Sequence, residues 1–281
     1  MPLDCQLEPI SNTQTTRHCL KPWKVGEKYK HQIQYQAKVV LSVYRFKTPP
    51  SQCQYLADRN WQLEYEIVAM LSAKEYEQKI NQGWRKFGSA LFRPQCHGCT
   101  ACESLRVLVN EFKPNRNQRR VTKANQETEL RIVNPSLTKE KIELYIRHHE
   151  HHTETKGWPK RENSPAQTIS SMIKNPFQMQ EWQYYRDGKL IGVSYIDPLP
   201  LGYSGVYFYY DPDYRFLSPG TWIVLSMIEQ AKIDQKPYVY LGYYVQNCGS
   251  MEYKAKFDPH EVLTQDGRWV PHVSTKADTQ T

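Results

Sequence analysis

The stretch "YSGVYFYYDPDYRFLSPGTWIVLSMIEQAKIDQKPYVYLGYYV", residues 203–245, contains the pattern that decides the fold. Its two ends are rich in aromatic and β-branched residues, which is typical of β-strands. Between them, Ser218, Pro219 and Gly220 precede apolar residues at helical spacing, and proline is common at the first position of a helix. The stretch therefore predicts a strand, a loop, a helix and a second strand, in that order.

Segments before this stretch predict both strands and helices, and thus an α+β chain. A capping box formed by Ser72 and Glu75 predicts a helix that ends near Gly83. The dipeptide Asp187-Gly188 predicts a hairpin turn, and hence an antiparallel sheet around it. The other expected segments are strands at 38–46 and 105–112, a basic loop at 113–126, and helices that begin at Thr138 and Ser164.

The length and composition of the chain limit its organisation. It has 281 residues, of which 39% are hydrophobic and 12% aromatic. A chain of this kind forms one large domain or two closely packed smaller ones. We expect a polar N-terminal arm at residues 1–38, an N-terminal subdomain with a cysteine loop at 39–135, and a C-terminal domain at 136–281.

The charge balance indicates the kind of partner. The 37 Lys and Arg residues exceed the 29 Asp and Glu residues, which gives a net charge of +8. A polyanion or an acidic substrate is the natural partner of such a chain. No apolar run approaches the roughly 20 residues of a membrane span, and the first residues lack the pattern of a secretory signal. The sequence therefore predicts a cytoplasmic protein without a membrane partner.

The seven cysteines are an odd number, and a cytoplasmic chain is not expected to use them as a disulfide framework. Three recur at three-residue intervals in "CHGCTAC", and Cys-x-x-Cys loops direct sulfur atoms toward one point. The pattern resembles the start of a ferredoxin ligand set, but Glu103 and Ser104 follow instead of its continuation. Three interpretations of these cysteines remain: a zinc site, an iron–sulfur cluster, or ordinary packed thiols. The candidate metal ligands are Cys53, Cys96, Cys99 and Cys102.

The string "RHHEHH", residues 147–152, raises the question of a second metal site. His148 and His152 are one helical turn apart, but the sequence provides no third ligand. Histidines at the end of a predicted helix instead complement the partial negative charge of the helix C-terminus. We therefore interpret both histidines as structural, and give the same interpretation to His97 and Cys248.

Five longer stretches carry a resemblance to a known family. They are "CQYLADR" (53–59), "GWRKFGSALFRPQCHGCTACESLRV" (83–107), "FKPNRNQRR" (112–120), "GVYFYYDPDY" (205–214) and "YVYLGYYVQNCGSMEYKAKF" (238–257). Together they resemble the aminoacyl-tRNA–protein transferases of the N-degron pathway, particularly the bacterial aspartate/glutamate leucyltransferase branch. The resemblance implies a GNAT-like acyltransferase fold, with a mixed or antiparallel sheet flanked by helices. It also implies transfer of an amino acid, leucine in preference to arginine, from aminoacyl-tRNA to proteins that begin with Asp or Glu, which marks them for degradation.

The implied reaction sets requirements for the site. Aminolysis of an activated ester needs positioning and charge stabilisation rather than a nucleophilic side chain, so we assign no catalytic residue and require no cofactor. Charge-assisted hydrogen bonds from Arg or Lys bind an acidic side chain well. The family usually has two arginines where this chain has Arg85 and Lys86, and lysine lacks the planar two-pronged donor geometry. The candidate substrate-binding residues, in a chain expected to be a monomer, are Arg85, Lys86, Arg93, Arg119, Arg120, Tyr243 and Lys254.

Two other functions fit parts of the sequence. An acyl-coenzyme A N-acetyltransferase of the same fold would bind pyrophosphate at a glycine-rich turn before a helix, but here Arg215 is followed only by Gly220. A tRNA- or RNA-binding zinc-type module without transfer activity would use the basic charge and the cysteines. Transfer from charged tRNA distinguishes the first interpretation from both.

Overall fold

The computed structural model describes residues 41–160, 163–246 and 248–272, which belong to a compact unit spanning Val39–Thr281. The expected polar arm, residues 1–38, lies outside the described residues. No helix in these ranges is long and apolar enough to cross a membrane. The helices are α1 Ala73–Ile80, α2 Arg116–Ala124, α3 Lys139–Lys156, α4 Pro165–Ile173 and α5 Pro219–Ile233, with 3-10 helices at Pro212–Leu217 and Glu252–Lys256. The strands are β1 Leu41–Lys47, β2 Ser51–Gln52, β3 Asn60–Trp61, β4 Leu63–Met70, β5 Arg85–Phe87, β6 Ala90–Pro94, β7 Glu103–Leu108, β8 Glu129–Val133, β9 Gln180–Arg186, β10 Lys189–Pro198, β11 Gly202–Tyr210, β12 Tyr238–Tyr244, β13 His260–Leu263 and β14 Trp269–Pro271.

The largest sheet has eight strands in the order β14-β13-β7-β12-β11-β10-β9-β8. Its neighbouring strands are antiparallel except β11 and β12, which run parallel and pair over residues 202–204 and 238–240. Both strands continue beyond this short pairing, so they separate toward their C-terminal ends. Helix α5 connects them, which confirms the order of elements predicted from the sequence. The α+β fold class, with a mixed sheet flanked by helices, is confirmed.

A smaller sheet precedes the large one in the chain. It is antiparallel and has the order β1-β4-β6-β5, while β2 and β3 form a separate two-stranded ladder. The pairing of β5 with β6 and of β6 with β4 fixes the position of Arg85 opposite Phe92. This small sheet therefore positions the basic residues that the sequence analysis singled out.

Helices cover both faces of the large sheet. Met227 of α5 packs in one core with strand residues that include Val239. Ile169 of α4 packs in a second core against the other face. Consecutive residues Leu190 and Ile191 of β10 belong to different cores, as expected for the two faces of a strand. Each fully buried aliphatic side chain in these cores contributes about 1.5 to 3 kcal/mol.

Local sequence signals are confirmed at several boundaries. The Ser72 side chain and Glu75 form the predicted capping box of α1, and Ser164 caps α4 in the same way. Asp187 and Gly188 have φ angles of 50° and 76°, which are the positive values that a two-residue hairpin turn requires. Their backbone conformation therefore sets the register of β9 and β10.

The predicted basic loop at residues 113–126 is wrong, because most of it forms helix α2. Asn115 Oδ1 accepts a hydrogen bond from the Gln118 amide at 2.9 Å, and Gln118 Oε1 accepts one from the Asn115 amide at 2.8 Å. This is a capping box with asparagine as the cap. The buried residues on the inward side are Gln118 of α2 and its C-cap residue Asn125, so the sequence lacks the apolar stripe that usually reveals a helix.

Strand β7 ends at Leu108, earlier than the predicted end at residue 112. It lies inside the large sheet, between β12 and β13, while β8 forms one edge. Residues 39–135 therefore supply strands to the same sheet as residues 136–281. The subdomain boundary near residue 135 stays a prediction.

Candidate active site

Strand β5 carries two basic side chains into the interior. Arg85 and Lys86 are only 5% and 4% exposed. Gly88 follows the strand with a φ of +58°, and a Cβ atom there would lie 2.4 Å from the backbone oxygen of Ser171. Only glycine fits this close approach to α4, so the turn holds the two basic residues against the large sheet.

Lys86 has a buried counter-ion at the end of β10. Its Nζ atom lies 3.1 Å from Asp197 Oδ2 and donates a hydrogen bond to Asn175 Oδ1. Burial lowers the pKa of Lys86 and raises that of Asp197, while their mutual attraction opposes both shifts. The charge of Lys86 is therefore already compensated within the chain.

Arg85 differs from Lys86 because it has no such partner. None of its three guanidinium nitrogen atoms donates a hydrogen bond to a residue that the structure describes. The ring centroid of Tyr243 lies 6.0 Å from its Cζ atom, at the limit of a cation–π contact. A buried guanidinium without acceptors has lost its hydration without replacement, which is costly. The arrangement is thus suited to bind an anion from outside the chain.

Tyr243 and Lys254 lie beside this guanidinium. Lys254 Nζ donates a hydrogen bond of 2.5 Å to the Tyr243 carbonyl, and the Tyr243 hydroxyl donates one of 2.6 Å to the Gly83 carbonyl. Burial, and then repulsion by Arg85, lower the pKa of Lys254 to about 8. Burial raises the pKa of Tyr243, so its hydroxyl stays protonated. The site therefore has excess positive charge at neutral pH.

A cavity of about 660 Å³ opens next to these residues. Its walls include Gly83, Arg93, Glu103 and Tyr243. The volume falls within the range of small-molecule binding pockets. Tyr243, which contacts both Arg85 and Lys254, therefore forms part of the cavity wall.

Of the remaining predicted substrate-binding residues, Arg93 lines the same cavity as Tyr243, whereas Arg119 and Arg120 lie on α2. Arg93 Nε is 2.7 Å from Glu64 Oε2, and its guanidinium lies over the Trp84 ring. Arg119 and Arg120 are on the exposed face of α2, and among the described residues neither contacts Arg85. The structure brings together Arg85, Lys86, Tyr243 and Lys254, and it places Arg93 on the wall of the adjoining cavity.

The four predicted metal ligands line one small cavity. Its volume is about 50 Å³, and its walls include apolar side chains and Cys53, Cys96, Cys99 and Cys102. Backbone amides of Tyr55 and Gln62 donate hydrogen bonds of 3.4 Å to the sulfur atoms of Cys53 and Cys96. In the described ranges, no three Cys, His, Asp or Glu side chains are arranged to hold a metal ion. The bound metal stays a prediction.

Three residues at the site, Asp197, Asn175 and Tyr76, were not predicted from the sequence. Lys86 Nζ lies 5.6 Å from the Tyr76 ring centroid, so this tyrosine also borders the ion pair. A signal for Asp197 was present, because a carboxylate ends the otherwise uncharged run "LIGVSYID", and a buried charge needs a partner. Asn175 and Tyr76 had no comparable signal, since they reach the site from separate parts of the chain.

Comparisons with known proteins match two long parts of the chain. The description "Arginine-tRNA-protein transferase, N terminus" matches residues 51–120, and "Arginine-tRNA-protein transferase, C terminus" matches residues 140–264. An aspartate/glutamate leucyltransferase of Campylobacter jejuni is 36% identical over 219 residues, which cover 78% of this chain and 92% of that protein. The chain belongs to the aminoacyl-tRNA–protein transferase family.

A second relative in the aminoacyl-tRNA–protein transferase family also matches most of both chains. An aspartate/glutamate leucyltransferase of Marinobacter nauticus is 34% identical over 226 residues, or 80% of this chain and 94% of that protein. The solved structure of FemX covers 76% of this chain and 84% of its own at 8% identity, with a TM-score of 0.44, which is too low to support an inference. Family membership identifies the chain as an aminoacyltransferase that uses aminoacyl-tRNA, and so supports the first of the three functions considered from the sequence.

Proposed function

We propose that the chain transfers leucine from leucyl-tRNA to the α-amino group of proteins whose first residue is Asp or Glu. The names of the similar proteins from Campylobacter jejuni and Marinobacter nauticus support leucine as the donated residue and Asp or Glu as the acceptor. The structural observation that supports an acidic acceptor is the buried guanidinium of Arg85, whose nitrogen atoms make no hydrogen bond to a described residue.

Arg85 is suited to recognise a carboxylate rather than an amide. A guanidinium presents two parallel N–H donors to the two carboxylate oxygens, and hydrogen bonds to charged groups are worth about 1.5 to 3 kcal/mol each. The amide of Asn or Gln has one oxygen and would direct its NH₂ group toward a donor. Lys254 adds a second positive charge close by. The charge of the acceptor side chain therefore decides whether it binds.

The proposed reaction is the aminolysis of an ester. The neutral α-amine attacks the ester carbonyl carbon, a C–N bond forms, and the C–O bond to the ribose breaks. The proton lost by the amine ends on the ribose oxygen that leaves. The atoms balance without a protein nucleophile, so the chain acts by holding the amine close to the carbonyl.

The test is a transfer assay with the purified protein. Leucyl-, arginyl- and phenylalanyl-tRNA are each offered to peptides that differ only in a first residue of Asp, Glu, Asn or Lys. We expect leucine to be transferred to the Asp and Glu peptides. Equal transfer to the matched Asp and Asn peptides would contradict the carboxylate recognition, and preferential use of arginyl-tRNA would contradict leucine as the donor residue.

We also propose that the four-cysteine cavity binds zinc or an iron–sulfur cluster. Sulfur ligands suit both, and the amide donors to Cys53 and Cys96 are of the kind that stabilises thiolates. The side chains would have to move closer together around the ion, since their present arrangement does not form a metal-holding group. The bound group would connect β2 to the loop after β6 and would take no part in the transfer step.

Metal analysis and visible absorption after anaerobic purification test this second proposal. A broad brown absorption indicates an iron–sulfur cluster, and stoichiometric zinc without colour indicates a zinc site. We expect Cys96→Ser and Cys99→Ser to lose the metal and to lower the free energy of unfolding. Metal-free protein whose serine variants keep full stability and transfer would identify the cysteines as packed thiols.

A further inference from the structure

Helix α2 presents a row of basic side chains for which the described residues provide no counter-ion. Gln118 and the C-cap residue Asn125 face the interior, so the opposite face of the helix points to solvent. Among the described residues, Arg119 donates only to the Pro114 carbonyl, and the other basic side chains of the helix make no hydrogen bond or ion pair. The exposed basic residues of α2 are Arg116, Arg119, Arg120 and Lys123.

This row lowers the stability of the helix that carries it. Arg116 and Arg120 are four residues apart, as are Arg119 and Lys123, and like charges at this spacing repel each other. The helix contains no acidic residue. Its cap and buried face hold it together despite the repulsion. Such a concentration of uncompensated cations favours a polyanion.

A stacked pair of aromatic rings, exposed Phe216 and half-buried Tyr214, adjoins the C-terminal end of α2. Asn125 Nδ2 donates a hydrogen bond of 2.9 Å to the Leu217 carbonyl, which ties the helix to the 3-10 helix Pro212–Leu217. The neighbouring Phe216 is 73% exposed, and its ring is stacked 6.1 Å from that of Tyr214. Exposed rings beside cations are what an unpaired nucleic-acid base stacks on.

The N-terminal end of α2 adjoins the candidate active site. Gln118 Nε2 donates a hydrogen bond of 2.9 Å to the Lys256 carbonyl. Lys256 lies in the 3-10 helix Glu252–Lys256, which also contains Lys254. Lys254 Nζ donates a hydrogen bond to the Tyr243 carbonyl, beside Arg85. A polyanion on α2 would therefore lie next to the site where transfer is proposed.

We infer that the exposed face of α2, together with Tyr214 and Phe216, is the docking surface for the acceptor arm of tRNA. The basic residues bind phosphates of the duplex, and the Phe216 ring stacks on an unpaired base near the 3′ end. This inference rests on the proposed function for its partner. According to this inference, Arg119 and Arg120 bind tRNA phosphates. The sequence had instead predicted that they bind the carboxylate of the acceptor protein. An acidic protein surface would satisfy the cations but would leave the ring pair unused.

The binding of uncharged leucine tRNA tests the basic row, because it needs no transfer activity. We expect Arg116→Gln/Arg120→Gln/Lys123→Gln to weaken binding and to reduce the slope of log K against log salt by about 2 to 3. A matched control, Lys74→Gln/Lys156→Gln/Lys160→Gln, removes the same charge from exposed positions outside α2 and should keep the slope. Arg116→Lys/Arg120→Lys should also keep it, because phosphate contacts need charge rather than a fork.

Equal slopes for the two triple variants would overturn the inference, even if leucine transfer to Asp peptides is observed. Conversely, a reduced slope in a protein that fails the transfer assay would remove the proposed function and leave the docking surface. Polyglutamate that competes as well as tRNA would assign α2 to an acidic polypeptide and would also overturn the inference.

Phe216 is tested with two forms of the same tRNA. We expect Phe216→Ala to weaken binding of the intact tRNA by about fivefold to a hundredfold, and Phe216→Trp to retain it. The substitution should have no effect on tRNA trimmed of its unpaired 3′ nucleotides. Tyr44→Ala is the control, because Tyr44 is also exposed and stacks on Phe46, but in β1. Equal loss with intact and trimmed tRNA would overturn the stacking contact.

Discussion

The Lys86 ammonium nitrogen lies 3.1 Å from a carboxylate oxygen of Asp197, and neither side chain exposes any surface to solvent. Removing one member of a buried pair leaves the other without compensation. We therefore expect Lys86→Met to lower the free energy of unfolding by about 3 to 5 kcal/mol, measured by urea denaturation. The double variant Lys86→Met/Asp197→Leu should lose less than Lys86→Met alone. A larger loss in the double variant would show that the pair is not the source of the effect.

Substitution of Arg85 should change transfer and stability in opposite directions. We expect Arg85→Met to reduce kcat/KM for an Asp peptide by roughly tenfold to a hundredfold, because a charge-assisted contact is lost. The same change removes a buried charge that makes no hydrogen bond or ion pair with a described residue, so the free energy of unfolding should stay the same or rise. Arg106→Met is the control for stability. Arg106 is paired with Glu261, so this substitution should lower the free energy of unfolding. A large loss of stability in Arg85→Met would indicate a structural role.

The capping box of α2 can be tested without touching the basic row. We expect Asn115→Ala to lower the free energy of unfolding by about 1 kcal/mol, because the cap to the Gln118 amide is lost. Asn117→Ala changes the same residue type within the exposed part of the helix and should not lower stability. Thermal or urea unfolding of the two variants measures the difference, and equal losses would argue against the cap.

His148 should make the chain less stable in acid. It is 2% exposed, and burial, followed by repulsion from His152, lowers its pKa to about 3. The unfolded chain takes up this proton near pH 6.5, whereas the folded chain does so only near pH 3. Stability from this residue is therefore present above about pH 6.5 and is lost as the pH falls toward 3.

Urea unfolding between pH 7 and pH 4 measures this dependence. We expect His148→Gln to reduce the fall in the free energy of unfolding over that range, because Gln does not titrate. His97→Gln, at an exposed position, controls for the substitution itself. An unchanged acid dependence in His148→Gln would refute the assignment.

An element could be predicted when the pattern that specifies it lies within its own sequence. The segment from β11 through α5 to β12 was predicted because apolar residues mark its buried faces along the sequence. Helix α2 was not, because Gln118 and Asn125 are buried through hydrogen bonds to the Lys256 and Leu217 carbonyls, and these partners are far away in the chain. Local periodicity cannot reveal a polar face that distant residues satisfy.

The candidate site shows the same limit. As sequence, Arg85 and Arg119 look alike, since both lie in short basic segments. Their burial separates them, and burial depends on the pairing of β5 with β6 and on the large sheet behind it. The counter-ion of Lys86 is likewise supplied from β10. The sequence therefore predicted that the site contains basic residues. Only the tertiary structure shows which of them have a counter-ion.

The position of β7 determines when the large sheet can be completed during synthesis. Its two neighbours, β12 and β13, come near the opposite end of the described chain. A ribosome delivers β7 well before either neighbour, so both of its edges remain unpaired while residues 109–237 are being made. Strands with unpaired edges attract other nascent chains, so folding of this protein in the cell should depend on chaperones. For the same reason, a gene divided near residue 135 would yield two fragments that each lack strands of a common sheet, and neither would fold alone.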